Sequence, residues 1–179
     1  MEPWKMVWDK VTGTAPVVAP PEPAATPTQK PDYLERLKMA ESSGVASAAA
    51  KTSSAVGHHQ FVERTWKDLT KKYNLNYTLE DRIDPEKSKQ VADLYTKENR
   101  AALQKALGAE PTDTQLYAAH FLGASGAKKF LSAPPFKLAK DVMSPDQVKA
   151  NKNIFFDKNT NKPRTIGEVY KVLQLKINE

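Results

Sequence analysis

The stretch that decides the fold covers residues 40–61 and reads AESSGVASAAAKTSSAVGHHQF. It follows a segment, residues 31–41, whose pattern predicts a short helix. Asp32 is placed to cap that helix, and Glu35 stands three residues later, where a capping box needs an acidic side chain. The run Ser-Ser-Gly at 42–44 then ends the helix, so the residue before it, the glutamate at 41, is predicted to be its last.

Glu41 occupies an unusual face of this helix. Leu34, Leu37 and Glu41 follow the spacing i, i+3 and i+7, which places them on one stripe. A carboxyl group at the end of an apolar stripe points toward the core, and removal from water favours the protonated form that a proton donor needs. The alternative is a frayed helix end, with Glu41 turned to solvent.

Three short motifs follow one another along the chain in a specific order and spacing. Glu41-Ser42 stands at a helix end, Gly57-x-x-Gln60 begins sixteen positions after Glu41, and residues 116–127 read LYAAHFLGASGA. This order and spacing resembles the lytic transglycosylase and goose-type lysozyme superfamily of peptidoglycan-cleaving enzymes. The last motif resembles the form that the family's Tyr-Asn-Ala-Gly loop takes in bacteriophage virion enzymes. The resemblance covers most of the chain.

The resemblance implies a single catalytic residue, Glu41, which protonates the leaving oxygen and later takes a proton back, giving a 1,6-anhydro sugar. It also implies a set of residues that bind the glycan, namely Ser42, Gly57, Gln60, His120, Phe121 and Tyr170. Relative to the family pattern, His120 replaces a tyrosine and Phe121 an asparagine. Tyr170 has the alternative of being an ordinary core residue.

A second carboxylate would change the reaction from transglycosylation to hydrolysis. The sequence offers four candidates: Glu63, Glu80, Asp81 and Asp84. Asp84 precedes a proline and is typical of a helix cap, and Glu63 is flanked by basic residues as on a solvated face. Glu80 and Asp81 therefore remain as the carboxylates that could approach Glu41.

Histidines at 58, 59 and 120 raise the question of a metal site, because imidazole is a common zinc ligand. Adjacent histidines point apart on a helix, the chain has no His-Glu-x-x-His motif, and it contains no cysteine. We expect no metal and no cofactor. The absence of cysteine also means that the fold rests on packing alone.

The composition favours a polyanionic partner. Lys plus Arg number 27 against 21 Asp plus Glu, which gives a formal charge of +6 and a pI near 9.3. Peptidoglycan is such a partner because its peptide stems carry carboxylates. The charges are scattered and form no basic stripe with interleaved aromatics, so we expect no nucleic acid. No apolar run is long enough to span a membrane, and the first residues lack the apolar region of a signal peptide.

The chain divides into two parts. Residues 1–31 form an N-terminal segment in which Trp4 and Trp8 share a face, followed by a proline-rich tether from residue 12. The tryptophan face either docks on a partner or is a loose tail. Residues 32–179 form the catalytic domain, in which every strong periodic segment is helical.

The helices of this domain are marked by their ends. A second helix is predicted over 58–72, with Gln60 in its first turn, and a third from Pro85 to Leu107, between the cap Asp84 and the stop Gly108. Capping boxes at Thr112, Ser144 and Thr165 mark three more, and 153–156 is a short β-like piece. The prediction is an all-α, lysozyme-like domain of six to eight helices, preceded by a proline-rich N-terminal tether.

Together these features predict a peptidoglycan lytic transglycosylase of a phage particle, which cuts the linkage between N-acetylmuramic acid (MurNAc) and N-acetylglucosamine (GlcNAc) during entry. Its partners would be glycan strands and, through the N-terminal segment, other virion proteins. It would be made in the host cytoplasm without a signal peptide and act in the host envelope, in the periplasm. The alternatives are a lysozyme-type hydrolase or endolysin of the same fold, and a structural virion protein without turnover.

Overall fold

The computed structural model describes residues 32–43 and 54–178, which form an almost entirely helical protein. Its elements are α1 (Tyr33–Ser42), α2 (Glu63–Lys72), a 3₁₀ turn (Glu80–Ile83), α3 (Pro85–Leu107), α4 (Asp113–Leu131), α5 (Ala139–Val142), α6 (Pro145–Ala150), α7 (Lys152–Phe155) and α8 (Ile166–Asn178). Within the described ranges, β structure is limited to three isolated bridges, Val56 with Phe61, Leu138 with Thr165 and Phe156 with Pro163. The predicted all-α fold is confirmed.

The core lies between four helices. Helices α3 and α4 form the central pair, α8 packs against α4, and α1 packs against α8. Each contributes a fully buried leucine to one cluster: Leu37 from α1, Leu103 from α3, Leu116 from α4 and Leu173 from α8. Full burial of such a side chain contributes about 1.5–3 kcal/mol relative to exposure. The apolar stripe predicted for the first helix therefore faces the core as expected.

Helix α1 is also held by polar contacts along its length. The Arg36 guanidinium forms an ion pair with Asp113 of α4 at 2.6 Å and donates to the carbonyl of Ile177 at 3.2 Å. Near the other end, Lys176 donates to the carbonyl of Ala40 at 3.0 Å. Long-range contacts at both ends restrict the axial position of α1. The helix that carries Glu41 is thus fixed against α4 and α8.

Most of the predicted helix starts are observed. The Asp84 carboxylate accepts hydrogen bonds from the Glu86 and Lys87 amides, and Gly108 ends α3 with φ of 69°. Capping boxes form at all three predicted positions, Thr112, Ser144 and Thr165. These local signals are reliable because each cap is satisfied within a few residues of chain.

The predicted start of the first helix is wrong in one respect. Asp32 stands at the N-cap position but makes no side-chain capping bond. Glu35 does not complete a capping box, because its carboxylate is used by ion pairs with Lys38 and, at 3.9 Å, with Lys89. The helix also runs one residue further than predicted, ending at Ser42.

The predicted start of the second helix is also wrong. Residues 57–60 form a tight turn, and α2 begins only at Glu63. Gly57 and Gln60 have positive φ values of 86° and 49°, which an α-helix does not allow. The Val56 amide donates to the Phe61 carbonyl across the turn at 3.3 Å. This turn directs the Phe61 ring into the core instead of along a helix face.

Two smaller departures concern the second half of the chain. Residues 152–155, predicted in part as β-like, form the helical turn α7. The motif at 116–127 is not a loop, since it lies within α4, which is broken only at Gly123 (φ 72°, ψ 161°). Only glycine adopts this backbone conformation readily. The side-chain amide of Gln147, from α6, donates to the Leu122 carbonyl at the break at 3.0 Å.

The predicted tryptophan segment and proline-rich tether, residues 1–31, lie outside the described residues, as do 44–53. The boundary predicted at residue 32 therefore stays a prediction. Among the helices that are described, none combines the length and the hydropathy needed to cross a membrane.

Candidate active site

A groove with a volume of about 1140 Å³ runs over the surface of the domain. Four of the residues singled out from the sequence line it together: Glu41, Gln60, His120 and Phe121. Its walls come from the end of α1, the turn before α2, the first half of α4, and the segment from α6 to residue 161. Residues more than a hundred positions apart in the chain thus meet around the Glu41 carboxyl group.

Glu41 is half-buried and contacts a tyrosine that the sequence analysis overlooked. The hydroxyl of Tyr117, on α4, lies close enough to the Glu41 carboxylate to interact with it electrostatically. Burial, then the charge and hydrogen bond of Glu41, raise the pKa of Tyr117 far above its usual range. Tyr33 lies near the same carboxylate, and its pKa is raised by burial, then by the charges of Asp113 and Glu41. Both phenols therefore stay protonated beside the Glu41 carboxylate.

Ser42 follows Glu41 in the chain but points elsewhere. Its side chain is buried, and its hydroxyl donates to the Lys38 carbonyl one turn back at 3.0 Å. It is not among the residues that line the groove. Ser42 completes the last turn of α1 and holds the backbone beneath Glu41.

Gly57 is not among the residues that line the groove, but its lack of a side chain is required where it packs against Arg82. A Cβ atom at this position would lie 2.0 Å from the Arg82 carbonyl oxygen. The Arg82 guanidinium in turn donates to the carbonyls of Ser54 at 2.7 Å and Phe61 at 3.2 Å. The backbones at Gly57 and Arg82 can therefore approach closely, and the Arg82 side chain hydrogen-bonds to the chain on both sides of the turn.

Gln60 lines the groove, and its orientation is set by its own turn. Its amide nitrogen donates to the Gly57 carbonyl at 2.9 Å. Together with the positive φ, this bond fixes the side chain on the turn that forms one wall. Gln60 therefore stands in the groove as a turn residue and not as the first turn of a helix.

His120 and Phe121 form the α4 wall. The His120 ring donates from Nε2 to the His59 carbonyl at 2.9 Å and packs edge-on against Phe61 and Tyr95, with ring centres 5.6 and 5.7 Å away. Its Nδ1 atom is buried and has no hydrogen-bond partner among the described residues. Phe121 lies beside Tyr117, with ring centres 6.4 Å apart.

Tyr170 is not brought to the groove. Its side chain is partly buried and packs against the hydrophobic core from α8. The sequence offered a signal for Tyr117 instead, because Tyr117 and Phe121 are four residues apart and share one face of α4. In this chain the tyrosines that lie near the Glu41 carboxylate come from α1 and α4.

The two adjacent histidines lie inside the turn before α2. His58 and His59 are both buried, with ring centres 6.4 Å apart, and His59 Nδ1 lies 2.9 Å from the Ser88 hydroxyl. Over residues 32–43 and 54–178, no cluster of three or more His, Cys, Asp or Glu side chains is arranged to hold a metal ion. Burial, with the charges of His120 and His58 adding to it, lowers the pKa of His59 from 6.5 to about 3.

We expect this burial to make stability depend on pH. Below pH 6.5 the unfolded chain protonates His59 while the folded chain keeps it neutral down to about pH 3. Burial of neutral His59 therefore costs no stability above pH 6.5. Below that pH the free energy of unfolding decreases as the pH falls, by up to about 1.4 kcal/mol per pH unit. Urea unfolding between pH 7 and 4 measures the slope, which should be shallower in His59→Asn. Parallel curves for the two proteins would contradict this account.

None of the four carboxylates considered as partners for Glu41 lines the groove. Glu63 pairs with Lys67, Asp81 pairs with Lys87 at 2.6 Å, and Asp84 caps α3. The pKa of Glu80 is lowered by a hydrogen bond from its own backbone amide and one from Thr78. Each of these four carboxylates thus interacts with residues close to it in the chain.

The carboxylates that do line the groove with Glu41 are Asp146 and Asp157. Asp157 accepts from the amides of Asn159 and Thr160, both at 3.0 Å, and pairs with Arg164 at 3.3 Å. The hydrogen bonds from Thr160 and Asn159 lower the pKa of Asp157, with the Arg164 charge adding to the effect. Asp146 is exposed in the first turn of α6. Both are more than a hundred residues from Glu41, so local sequence patterns gave no signal for them.

Comparison with known families identifies the family of the chain. Residues 21–123 match the family model of the transglycosylase SLT domain. The match contains Glu41, Gln60, His120 and Phe121, and it ends at Gly123, where α4 is broken. It covers more than half of the 179 residues. The chain therefore belongs to the transglycosylase SLT domain family, the peptidoglycan-cleaving lytic transglycosylases.

Proposed function

We propose that this chain cuts the MurNAc–GlcNAc linkage of peptidoglycan with Glu41 as its single catalytic residue and releases 1,6-anhydro-MurNAc ends. The observation that carries the proposal is the position of Glu41, half-buried in the groove with the phenol of Tyr117 beside its carboxylate. A groove of this kind accepts an extended glycan, and Phe121 offers an apolar face for a sugar ring.

The reaction needs one proton moved twice. Protonated Glu41 gives its proton to the glycosidic oxygen as the bond to C1 of MurNAc breaks, and GlcNAc leaves with a free hydroxyl. The acetamido group of MurNAc stabilises the electron-poor C1. The Glu41 carboxylate then takes the proton from the 6-hydroxyl of the same sugar, whose oxygen bonds to C1. Glu41 ends protonated, ready for the next linkage, and no water is consumed.

The state of the other carboxylates supports a one-carboxylate mechanism. Asp157 forms an ion pair with Arg164 and accepts hydrogen bonds from two backbone amides. These partners are typical of a structural carboxylate and not of a nucleophile. The four carboxylates considered from the sequence are all engaged outside the groove. The hydrolase alternative therefore depends on Asp146, the exposed carboxylate that faces the same groove.

The product distinguishes these mechanisms. We expect mass spectrometry of digested peptidoglycan to find muropeptides lighter by one water than lysozyme products, because the 6-hydroxyl replaces water as the acceptor. Reducing MurNAc ends would instead identify a hydrolase, and Asp146→Asn would be the next variant to test. No release of fragments would favour the structural virion protein with the same fold.

Tyr117→Phe should lower kcat about tenfold, because it removes the polar hydroxyl that lies beside the Glu41 carboxylate. Tyr73→Phe is a matched control, since it loses a partly buried hydroxyl that is bonded at 2.6 Å to Glu98 and lies outside the groove. An unchanged kcat in Tyr117→Phe would show that the phenol does not act through Glu41.

The phage entry role rests on the form of the α4 motif, Leu-Tyr-Ala-Ala-His-Phe-Leu-Gly at 116–123, and on the tryptophan face at the N-terminus. In this proposal the chain travels in the particle, attached to other virion proteins through residues 1–31, and acts on the wall in the host periplasm. Detection of the chain in purified particles tests this part. Its recovery only from lysed host cells would favour an endolysin.

A further inference from the structure

We propose that the groove continues past Glu41 into a subsite where Lys149, Lys152 and Lys158 bind the carboxylates of the peptide stems of peptidoglycan. This inference rests on the proposed function and adds a substrate class to it, namely glycan that still carries its stems. The three lysines lie beyond residues 21–123, the region that matches the family model. They are thus a property of this chain's own second half.

The three lysines come from consecutive short elements. Lys149 lies in the last turn of α6, Lys152 is the first residue of α7, and Lys158 lies in the turn after α7. All three line the same groove as Glu41, and all three are exposed. Within 32–43 and 54–178, none of them has an ion-pair partner. Their ammonium groups are therefore available to a ligand in the groove.

Arg164 holds the backbone beside two of these lysines, Lys152 and Lys158. One nitrogen of the Arg164 guanidinium donates to three carbonyls, those of Asn153 at 3.0 Å, Ile154 at 2.9 Å and Phe156 at 2.7 Å. The other terminal nitrogen pairs with Asp157, whose carboxylate also caps the turn that contains Lys158. A fixed backbone reduces the cost of ordering that binding would otherwise have.

The charge balance of this part of the groove favours an anion. Asp157 forms an ion pair with Arg164 at 3.3 Å, so its negative charge cancels only a part of the positive charge of the lysines. Asp146 is the other carboxylate there, against three lysines. An excess of positive charge in a concave surface attracts anionic ligands and raises their local concentration.

The chemistry of the substrate points to stem carboxylates as the anion. Each stem is attached to MurNAc, the sugar whose C1 linkage Glu41 is proposed to cut, so a stem must leave the glycan close to Glu41. Stems carry several free carboxylates, whereas the glycan backbone has none apart from the lactyl group to which the stem is joined. Lysines along the groove therefore meet negative charge only if the strand bears stems.

The test compares two substrates. Glycan strands with intact stems and strands stripped of stems by an amidase are digested, and the ratio of their kcat/KM values is measured for each protein. We expect a ratio of about ten for the wild type, since exposed ion pairs each give only a small factor. The triple variant Lys149→Gln, Lys152→Gln, Lys158→Gln should bring the ratio to about one. A control variant changes Lys128, Lys129 and Lys171 to Gln, exposed lysines outside the groove, and should keep the wild-type ratio.

A binding measurement separates this inference from the proposed function. Titration of a soluble stem-bearing muropeptide into Glu41→Gln protein, with and without the three lysine changes, reports the subsite without turnover. Weaker binding on loss of the lysines supports the subsite even if no protein cleaves peptidoglycan. The inference would be overturned if the triple variant kept the wild-type ratio of kcat/KM values, or if it lost activity equally on both substrates. Binding of a single-stranded oligonucleotide as tight as that of the muropeptide would also overturn it.

Discussion

Glu41→Gln is expected to lower peptidoglycan cleavage by at least about a thousandfold and to leave the fold intact, because the amide cannot donate a proton to the leaving oxygen. Glutamine has nearly the same shape as glutamate, and the ion pair between Arg36 and Asp113 is untouched, so α1 should keep its contacts with α4. Turnover on purified peptidoglycan measures the loss, and circular dichroism checks the fold. Glu86→Gln, on the exposed first turn of α3, is a control of equal charge change. Activity of Glu41→Gln within tenfold of wild type would rule out the catalytic assignment.

Gly57→Ala is expected to destabilise the protein by at least about 3 kcal/mol. The new Cβ would lie 2.0 Å from the carbonyl oxygen of Arg82 and 2.9 Å from its carbon, and a backbone group cannot rotate away as a side chain can. The positive φ of 86° adds the ordinary cost of a left-handed conformation, about 1–2 kcal/mol. Urea unfolding measures the total.

Gly108→Ala separates the two contributions. Gly108 also has a positive φ, 69°, but a Cβ there has no atom within 4 Å, so only the conformational cost applies. The excess of Gly57→Ala over Gly108→Ala is therefore the cost of the clash with Arg82. Equal destabilisation of the two variants would mean that the turn before α2 can shift without penalty.

Helix ends were the part of the fold that the sequence predicted best. Asp84, Pro85 and Gly108 define α3, because a cap and a stop are local signals that distant residues rarely override. The turn at 57–60 was missed because Phe61, Trp66 and Leu69 continue a helical period into it. The positive φ of Gln60, which ends any helix there, has no signature in the sequence because Gln60 is not a glycine.

For the candidate site, the sequence identified Glu41, Gln60, His120 and Phe121, which the fold brings to one groove. Their roles remain predictions, as do those of Ser42, Gly57 and Tyr170. Tyr117, Asp146 and Asp157 went unnoticed, because their approach to Glu41 depends on how α4, α6 and α7 pack. Packing of this kind is set by the whole core and not by the spacing of a motif.

Gln147 links two walls of the groove that belong to different helices. Its side-chain oxygen accepts from the Ser144 amide at the start of α6, while its nitrogen donates to Leu122 where α4 is broken. Gly126 leaves the room for this, since a Cβ there would lie 2.6 Å from the Gln147 nitrogen. One side chain thus serves both as the cap of one helix and as the partner of a carbonyl in the other. The two walls then form a single cooperative unit, in which α6 cannot unfold locally without exposing the break in α4 to water.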